Sequence, residues 1–228
     1  LFIVGKVVQF HKKLNWFEKL PIFGKSVVVT RSREQASELT TLLEEKGADV
    51  FEFPTIKISP VHNFSKLDKA INEIKKFDWI IFTSRNGVKI FTNRLFKKGK
   101  DLRVLDKVKI CVIGPGTKEE FEKFGIKVDL VPSQYINEGI IEKFKKIKNL
   151  RGKNILIPRA SGARGILVEE LKKLGANVSE IIIYNTIPDK ANVLELKDKI
   201  KAGEIDFVTF TSSSTVKNFV RLLGEKFL

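Results

Sequence analysis

Residues 24–31, GKSVVVTR, decide the fold of this chain because a second version of them, GKNILIPR, stands at residues 152–159, which is 128 positions further on. The same register carries residues 78–84, DWIIFTS, onto residues 206–212, DFVTFTS, without a gap. Self-similarity at a fixed spacing indicates an internal repeat whose copies are equivalent supersecondary units. The chain is therefore expected to contain two related halves.

Each copy alternates strand and helix patterns. A β-branched run at 27–30 or 155–157 is followed by an amphipathic stretch that ends at glycine, residues 33–47 or 163–175, and then by another strand. This alternation predicts an α/β fold with parallel sheets, in the form of two Rossmann- or flavodoxin-like domains. Further strands are predicted at residues 80–83, 109–113, 127–131 and 154–157, with helices between them.

Two extended segments, residues 51–60 and 179–188, are equivalent under the repeat, and each ends with proline. We interpret them as two strands that cross between domains, which predicts a nested organisation with one domain inserted into the other. The expected boundaries are 1–23 for an N-terminal tail, 24–55 with 188–228 for the outer domain, and 60–180 for the inserted domain. The second copy ends nine residues after Phe219, whereas the first continues far beyond its counterpart Phe91. The outer domain is therefore expected to be truncated at its C-terminus.

The amino-acid composition excludes several classes of protein. With 228 residues and 43% hydrophobic content, the chain is expected to fold into compact domains. One cysteine, Cys111, and two histidines exclude a disulfide framework, a zinc finger and an iron–sulfur cluster, and no metal site is predicted. No apolar run reaches the roughly 18 to 20 residues of a membrane span, so a cytoplasmic protein is expected. The absence of methionine, with Leu1 in first place, indicates a segment of a longer chain.

The formal net charge of +15 favours an acidic partner, which includes nucleic acid, anionic lipid and polycarboxylate substrates. The phenylalanines fall mostly at core periodicities rather than among basic residues on one exposed surface, which weakens a base-stacking platform. No helix-turn-helix or RNA-binding signature is present. A basic two-domain ligand- or nucleic-acid-binding module without catalysis is the alternative to an enzyme, and a steep salt dependence of DNA affinity would identify a nucleic-acid binder.

Hydroxyl residues follow two of the predicted strands. Thr83 and Ser84 end one strand and precede a helix, and Thr211, Ser212 and Ser213 occupy the equivalent place in the second copy. Hydroxyls at this position cap helices. A helix N-terminus at the carboxyl edge of a parallel sheet also suits carboxylates. Both roles are compatible with the sequence.

Three further groups are candidates. Gly116 and Thr117 belong to a GPGT turn between a strand and a helix, which is expected to face an anion or to be a plain turn. Arg31 and Arg159 end equivalent strands, where they form surface ion pairs or face a shared cleft as anion-binding groups. Tyr184 lies on one of the crossing strands, where packing is the simplest role. Cys111 is expected to be a core residue.

Four motifs in this order resemble the uroporphyrinogen-III synthase family. They are VVVTR at 27–31, FTSRNGV at 82–88, VIGPGT at 112–117 and YNT at 184–186, so the resemblance runs from about residue 24 to the end. A second resemblance concerns the N-terminal tail, which is similar to the extreme C-terminal tail of uroporphyrinogen-III C-methyltransferase. It rests on IVGKVV at 3–8, LNWF at 14–17 and PIFG at 21–24.

The resemblance implies a cofactor-free lyase in tetrapyrrole biosynthesis, on the way to siroheme, cobalamin or heme. Its reaction would close hydroxymethylbilane with inversion of ring D through a spiro intermediate. In this family the tyrosine that matches Tyr184 is the candidate for assisting departure of the substrate hydroxyl. The small-molecule tetrapyrrole would be bound by Arg31, Thr83, Ser84, Asn86, Gly116, Thr117, Arg159, Thr211, Ser212 and Ser213. The resemblance further implies a monomeric synthase part and a covalently fused upstream methyltransferase domain, with no nucleic-acid or membrane partner.

Overall fold

The computed structural model describes residues 4–31, 33–224 and 227. Leu1 to Ile3 of the predicted tail, and positions 225, 226 and 228 of the predicted outer domain, lie outside the described residues. The strands are β1 Ser26–Val29, β2 Asp49–Glu52, β3 Ile56–Pro60, β4 Trp79–Phe82, β5 Lys109–Val112, β6 Asn154–Ala160, β7 Asn177–Pro188 and β8 Phe207–Thr209. The helices are α1 His11–Leu14, α2 Arg33–Glu44, α3 Ser65–Asn72, α4 Arg85–Lys97, α5 Pro115–Glu122, α6 Asn137–Lys145, α7 Ile166–Lys173, α8 Val193–Lys201 and α9 Ser213–Leu223.

The strands form two separate sheets. The first has the order β2-β1-β8 and the second the order β3-β7-β6-β4-β5. The pairs that involve β1, β4 and β6 are parallel, since each strand is followed by a helix that returns the chain to the same end of the sheet. The predicted α/β fold with parallel sheets is therefore confirmed.

Two of the predicted strands differ from the structure. The segment 127–131 forms only one bridge, between Cys111 and Leu130. The reason is that the carboxylate of Asp129 accepts the Ile110 N–H at 2.7 Å and so takes the place of a strand carbonyl. The segment 51–60 is split between β2 and β3, because Pro54 lacks an N–H for the ladder between them.

The chain divides into two compact units, Leu1–Lys57 with Ile187–Leu228 and Ile58–Thr186. The first unit packs its α8 and α9 on one core that contains Val28, Phe53, Leu196 and Phe219. The second unit has a core on each face of its sheet, because alternate residues of β4 point to opposite faces: Ile80 and Phe82 to one, Trp79 and Ile81 to the other. None of the helices in the described ranges has the length and apolar content that a bilayer crossing requires.

Equivalent polar contacts join neighbouring strands in the two sheets. Lys25 Nζ and the Ser26 N–H donate to the two oxygens of Asp206, at 2.7 and 2.8 Å. At the equivalent positions, Lys153 Nζ and the Asn154 N–H donate to Asp78 at 2.7 and 2.8 Å. Each aspartate belongs to one copy of the repeat and each lysine to the other. Each sheet therefore combines strands from both copies.

Electrostatics favours the charged form of both aspartates. Burial of Asp78 raises its pKa, but the hydrogen bonds from Lys153 and from the Asn154 N–H outweigh this effect, and the net pKa is lowered. The pKa of Asp206 is lowered chiefly by its hydrogen bond from Lys25 and then by the Ser26 N–H. A carboxylate with a lowered pKa in the folded state stabilises the fold at pH above its unfolded value, and this contribution is lost as the pH falls through the folded pKa.

We predict that Asp78→Asn lowers the free energy of unfolding at pH 7 by about 1 to 3 kcal/mol, since it removes the charge from two hydrogen bonds. The difference from wild type should shrink as the pH falls toward 3. Urea denaturation curves, recorded by circular dichroism at both pH values, measure this difference in the free energy of unfolding. Glu73→Gln is the control, because Glu73 forms only an exposed pair with Lys76 and its loss should cost little. An Asp78→Asn effect of equal size at both pH values would contradict the prediction.

Candidate functional site

The candidate site lies at the carboxyl edge of the five-stranded sheet, within the second unit. Thr83 and Ser84 follow β4, Arg159 is the penultimate residue of β6, and Tyr184 lies in β7. The strand order places β6 between β4 and β7. Because neighbouring strands are about 5 Å apart, the backbone of β7 lies about 10 Å from that of β4. The long side chain of Tyr184 and the short side chain of Ser84 span this distance together.

Tyr184 and Ser84 form the central contact of the site. The Tyr184 hydroxyl lies 2.7 Å from Ser84 Oγ, and either oxygen can donate. Ser84 is also the N-cap of α4, where its Oγ accepts the Gly87 N–H at 3.0 Å. A Cβ at Gly87 would lie 3.3 Å from Ser84 Oγ and 3.4 Å from the carbonyl oxygen of Pro158, so glycine allows this close approach. The hydroxyl of Ser84 therefore caps the helix and contacts the phenol at once.

Burial decides the protonation state of Tyr184, which is only 5% exposed. Loss of solvation raises the pKa of its phenol, while the hydrogen bond with Ser84 and the positive charge of Arg159 lower it by less, so the net pKa is raised. The phenol is thus neutral at physiological pH. When Ser84 donates its proton to the phenol oxygen, the Tyr184 O–H is left to donate to a bound molecule.

Arg159 is buried, with 1% of its surface exposed, so its predicted ion pair is present but does not lie at the surface. Its role as an anion-binding group stays a prediction. Its Nη2 donates to the carbonyl oxygen of Arg164 at 3.0 Å, and its Nη1 lies 3.2 Å from Glu180 Oε1. That second contact is an ion pair without hydrogen-bond alignment, since Nε and Nη1 have no acceptor. The strand is irregular here, where its register with β7 shifts between Arg159 and Ala160. Arg159 therefore holds the loop at 161–165 and places a positive charge beneath the site.

The predicted GPGT turn starts α5, with Gly114 as an N-cap that has no side chain to satisfy the first turn. Thr117 is buried, and Thr83 and Asn86 are half-buried. The Arg85 guanidinium lies against Gly116, where any Cβ would overlap it, and the ring of Tyr135 lies against Gly114. The turn is thus bordered by two side chains that sequence reasoning did not select.

A signal for Arg85 was present in the sequence. It is the first residue of α4, and a cation at a helix N-terminus is unfavourable to the helix dipole. An arginine directly after the predicted cap Ser84 is therefore not explained by helix stability. Tyr135 carries no comparable local signal, because its place over Gly114 depends on the fold.

The remaining candidates belong to the first unit. Arg31 is half-buried just after β1. Ser212 caps α9 by accepting the Thr215 N–H at 3.2 Å, and its neighbours Thr211 and Ser213 are exposed. The position equivalent to Tyr184 is Ile56, so this unit has no matching phenol. The anion-binding roles of these four residues stay predictions.

Among the residues that the structure describes, the other titratable groups do not form a second candidate site. Cys111 is fully buried, as expected for a core residue, and burial raises the pKa of its thiol. Over residues 4–31, 33–224 and 227, no three or more histidine, cysteine, aspartate or glutamate side chains come together in a way that could hold a metal ion. The neutral phenol, the hydroxyls and the arginines are suited to donate protons and to bind carboxylates.

Comparison with known proteins gives a consistent result. The family model described as "Uroporphyrinogen-III synthase HemD" matches residues 37–228. "Porphyrin biosynthesis protein HemD" of Ruminiclostridium josui is 33% identical over 229 residues, covering 99% of this chain but only 44% of that protein. "Uroporphyrinogen-III synthase" of Synechococcus elongatus is 32% identical over 90% of this chain and 77% of that protein. A crystal structure of a mutant uroporphyrinogen III synthase from Thermus thermophilus shares the fold, with a TM-score of 0.60 and 17% identity over 86% of this chain and 76% of that one.

We predict that Tyr184 titrates above the ordinary tyrosine pKa of 10.0. The chain has two tyrosines, so Tyr135→Phe leaves Tyr184 as the only phenol, and its ionisation can be followed by absorbance at alkaline pH. Ser84→Ala in that background should raise the pKa of Tyr184 further, because it removes a hydrogen bond that lowers it. Ser212→Ala, which removes the equivalent cap in the first unit, is the matched control and should leave the titration unchanged. A Tyr184 that titrates at or below 10 would contradict its burial.

Proposed function

Because this chain belongs to the uroporphyrinogen-III synthase family, we propose that it closes the linear tetrapyrrole hydroxymethylbilane into uroporphyrinogen III, as a lyase that needs no cofactor. The observation that carries the proposal is the buried, neutral phenol of Tyr184 in contact with Ser84 at the carboxyl edge of the second unit's sheet. A reaction that begins with the loss of hydroxide from carbon needs a proton donor at that oxygen. Tyr184 is the residue with that chemistry.

The first step breaks the bond between carbon and the terminal hydroxyl. Tyr184 donates its proton to the departing oxygen, water leaves, and an azafulvene cation remains on the first ring. Ser84 stabilises the phenolate that forms, because its own proton turns toward the phenol oxygen while its Oγ stays bound to the Gly87 N–H. The charge of Arg159 also favours the phenolate. The proton returns to Tyr184 when the closed ring loses its extra proton.

The second step decides which isomer forms. Attack by the substituted carbon of ring D on the cation gives a spiro intermediate, and fragmentation with re-closure inverts that ring. Without a protein the bilane closes without inversion, so the protein must hold the chain with the spiro carbon nearest to the cation. This is catalysis by orientation.

The carboxylates of the bilane supply the contacts for that orientation. We assign them to Thr83, Asn86 and Thr117 and to the backbone N–H of Gly116 around the α4 and α5 termini. The net charge of +15 favours the approach of a polycarboxylate. Arg31, Thr211, Ser212 and Ser213 of the first unit are proposed to bind further carboxylates.

We also propose that residues 1–23 are the tail of a fused methyltransferase. A match to the "Uroporphyrinogen-III C-methyltransferase" of Bacillus subtilis, 25% identical over 66% of this chain and 30% of that protein, supports this proposal. The outer domain 24–55 with 188–228 and the inserted domain 60–180 are proposed as the two domains of the synthase. It would work as a monomer in the cytoplasm.

We predict that the complete protein, supplied with hydroxymethylbilane generated in situ, forms uroporphyrinogen III, which chromatography separates from the type I isomer. Tyr184→Phe should slow type III formation by about a hundredfold, the loss of one general acid, with little change in melting temperature. Ile182→Val, a conservative change at an exposed position of the same strand, is the control. Type I alone from the complete wild-type protein would refute the function. Unchanged type III formation by Tyr184→Phe would refute the role of the tyrosine.

A further inference from the structure

An exposed aromatic ring and an arginine border the turn at residues 114–116. We propose that Tyr135 and Arg85 form a binding subsite for one pyrrole unit of the substrate, in which the pyrrole ring packs on Tyr135 and one of its carboxylates pairs with Arg85. This inference rests on the function proposed above and concerns two residues to which that function gave no role. The subsite lies wholly within the second unit.

Tyr135 packs closely on the turn although it is 59% exposed. A Cβ at Gly114 would lie only 3.1 to 3.3 Å from the carbons of the Tyr135 side chain, so the side chain lies directly on the backbone of the turn. The preceding carbonyl, that of Gln134, lies against Gly139 in the first turn of α6 so closely that no Cβ fits there. Close packing at two glycines therefore positions a tyrosine that is otherwise exposed. An exposed aromatic ring is a surface on which a flat ring can pack.

Arg85 presents its guanidinium on the other side of the same turn. Its partner is Glu119, whose Oε2 lies 3.2 Å from Arg85 Nη2, and the two side chains are 43% and 62% exposed. An exposed pair of this kind contributes about 0 to 1 kcal/mol, so a substrate carboxylate can replace Glu119 at little cost. The position of Arg85 as the first residue of α4 opposes the helix dipole. A residue that is unfavourable for its local structure points to a functional requirement.

The spacing suits one pyrrole unit. Gly114, which Tyr135 contacts, and Gly116, which Arg85 contacts, are two residues apart and therefore at most about 7 Å from one another. A pyrrole of the bilane carries carboxylate arms that extend from the ring over a comparable distance. Arg85 also follows Ser84 directly, and Ser84 contacts Tyr184. A pyrrole held on Tyr135 and Arg85 would therefore lie next to the proton donor.

We predict that Tyr135→Ala raises the KM for hydroxymethylbilane by about fivefold to a hundredfold, the effect of losing one stacked ring, and changes kcat far less. Tyr135→Phe, which keeps the ring, should restore the wild-type KM. Arg85→Gln should also raise KM, and Arg85→Lys should recover part of the loss because it keeps the charge without the bidentate geometry. Phe124→Ala is the matched control, since it removes a 42% exposed ring beyond the opposite end of α5.

The outcomes separate this subsite from the proposed function. Wild-type KM in Tyr135→Ala and Arg85→Gln, with normal type III formation, would overturn the subsite and leave the synthase function intact. A complete wild-type protein that makes no type III isomer would instead remove the function on which the inference rests. An equal rise of KM in Phe124→Ala would also overturn the subsite, because the effect would then not depend on the turn. Melting temperatures of all five variants show whether each is folded.

Discussion

The pairing of an aspartate in each copy of the repeat with a lysine in the other copy is the contact on which the architecture depends. Asp78 with Lys153 and Asp206 with Lys25 join strands that are far apart in sequence, and each carboxylate also receives a backbone N–H at the start of a strand. The two copies thus do not fold as two consecutive domains. Each compact unit instead takes a strand from both, and the C-terminal part of the chain returns to complete the sheet that β1 begins. The strand order that results is what brings Tyr184 within reach of Ser84.

The two copies share a scaffold but differ in chemistry. Both place a serine N-cap after the strand that follows the aspartate, Ser84 and Ser212. Both also have an arginine near the end of a strand, Arg159 within β6 and Arg31 just after β1. The phenol has no counterpart, since Ile56 occupies the position equivalent to Tyr184. Ser84 accordingly contacts a tyrosine, whereas Ser212 contacts Ser214 and Thr215 of its own helix. Duplication explains the framework, and the difference at one strand position explains why the first unit has isoleucine where the second has the buried phenol.

Features that depend on the periodicity of apolar residues were predicted from the sequence. The strand prediction was wrong where a side chain replaced a backbone carbonyl as hydrogen-bond acceptor. The repeat and the strand–helix alternation were enough for the parallel α/β fold, because burial on both faces of a sheet imposes continuous apolar runs. The stretch 127–131 has the same composition as a strand, but the Asp129 carboxylate takes the N–H that a strand carbonyl would accept, and a pattern of hydrophobicity does not register this. Arg159 was expected at the surface or in a cleft, but it is buried next to a strand irregularity that the sequence pattern does not indicate. Contacts made across strands and turns, such as those of Arg85 and Tyr135, are set by tertiary structure and leave little local trace.

The contacts at the start of α4 limit which residues can replace Gly87. Glycine inside a helix costs roughly 0.5 to 1 kcal/mol relative to alanine, so simple selection for stability favours replacing it. A methyl group there would meet Ser84 Oγ at 3.3 Å and the Pro158 carbonyl oxygen at 3.4 Å, and one of them would have to move by a few tenths of an ångström. The serine is the more mobile of the two, and its displacement would lengthen the contact with the buried phenol. Under the proposed function, replacing Gly87 with a stronger helix former would therefore stabilise α4 and lower turnover, which is a stability–activity trade-off at a single position.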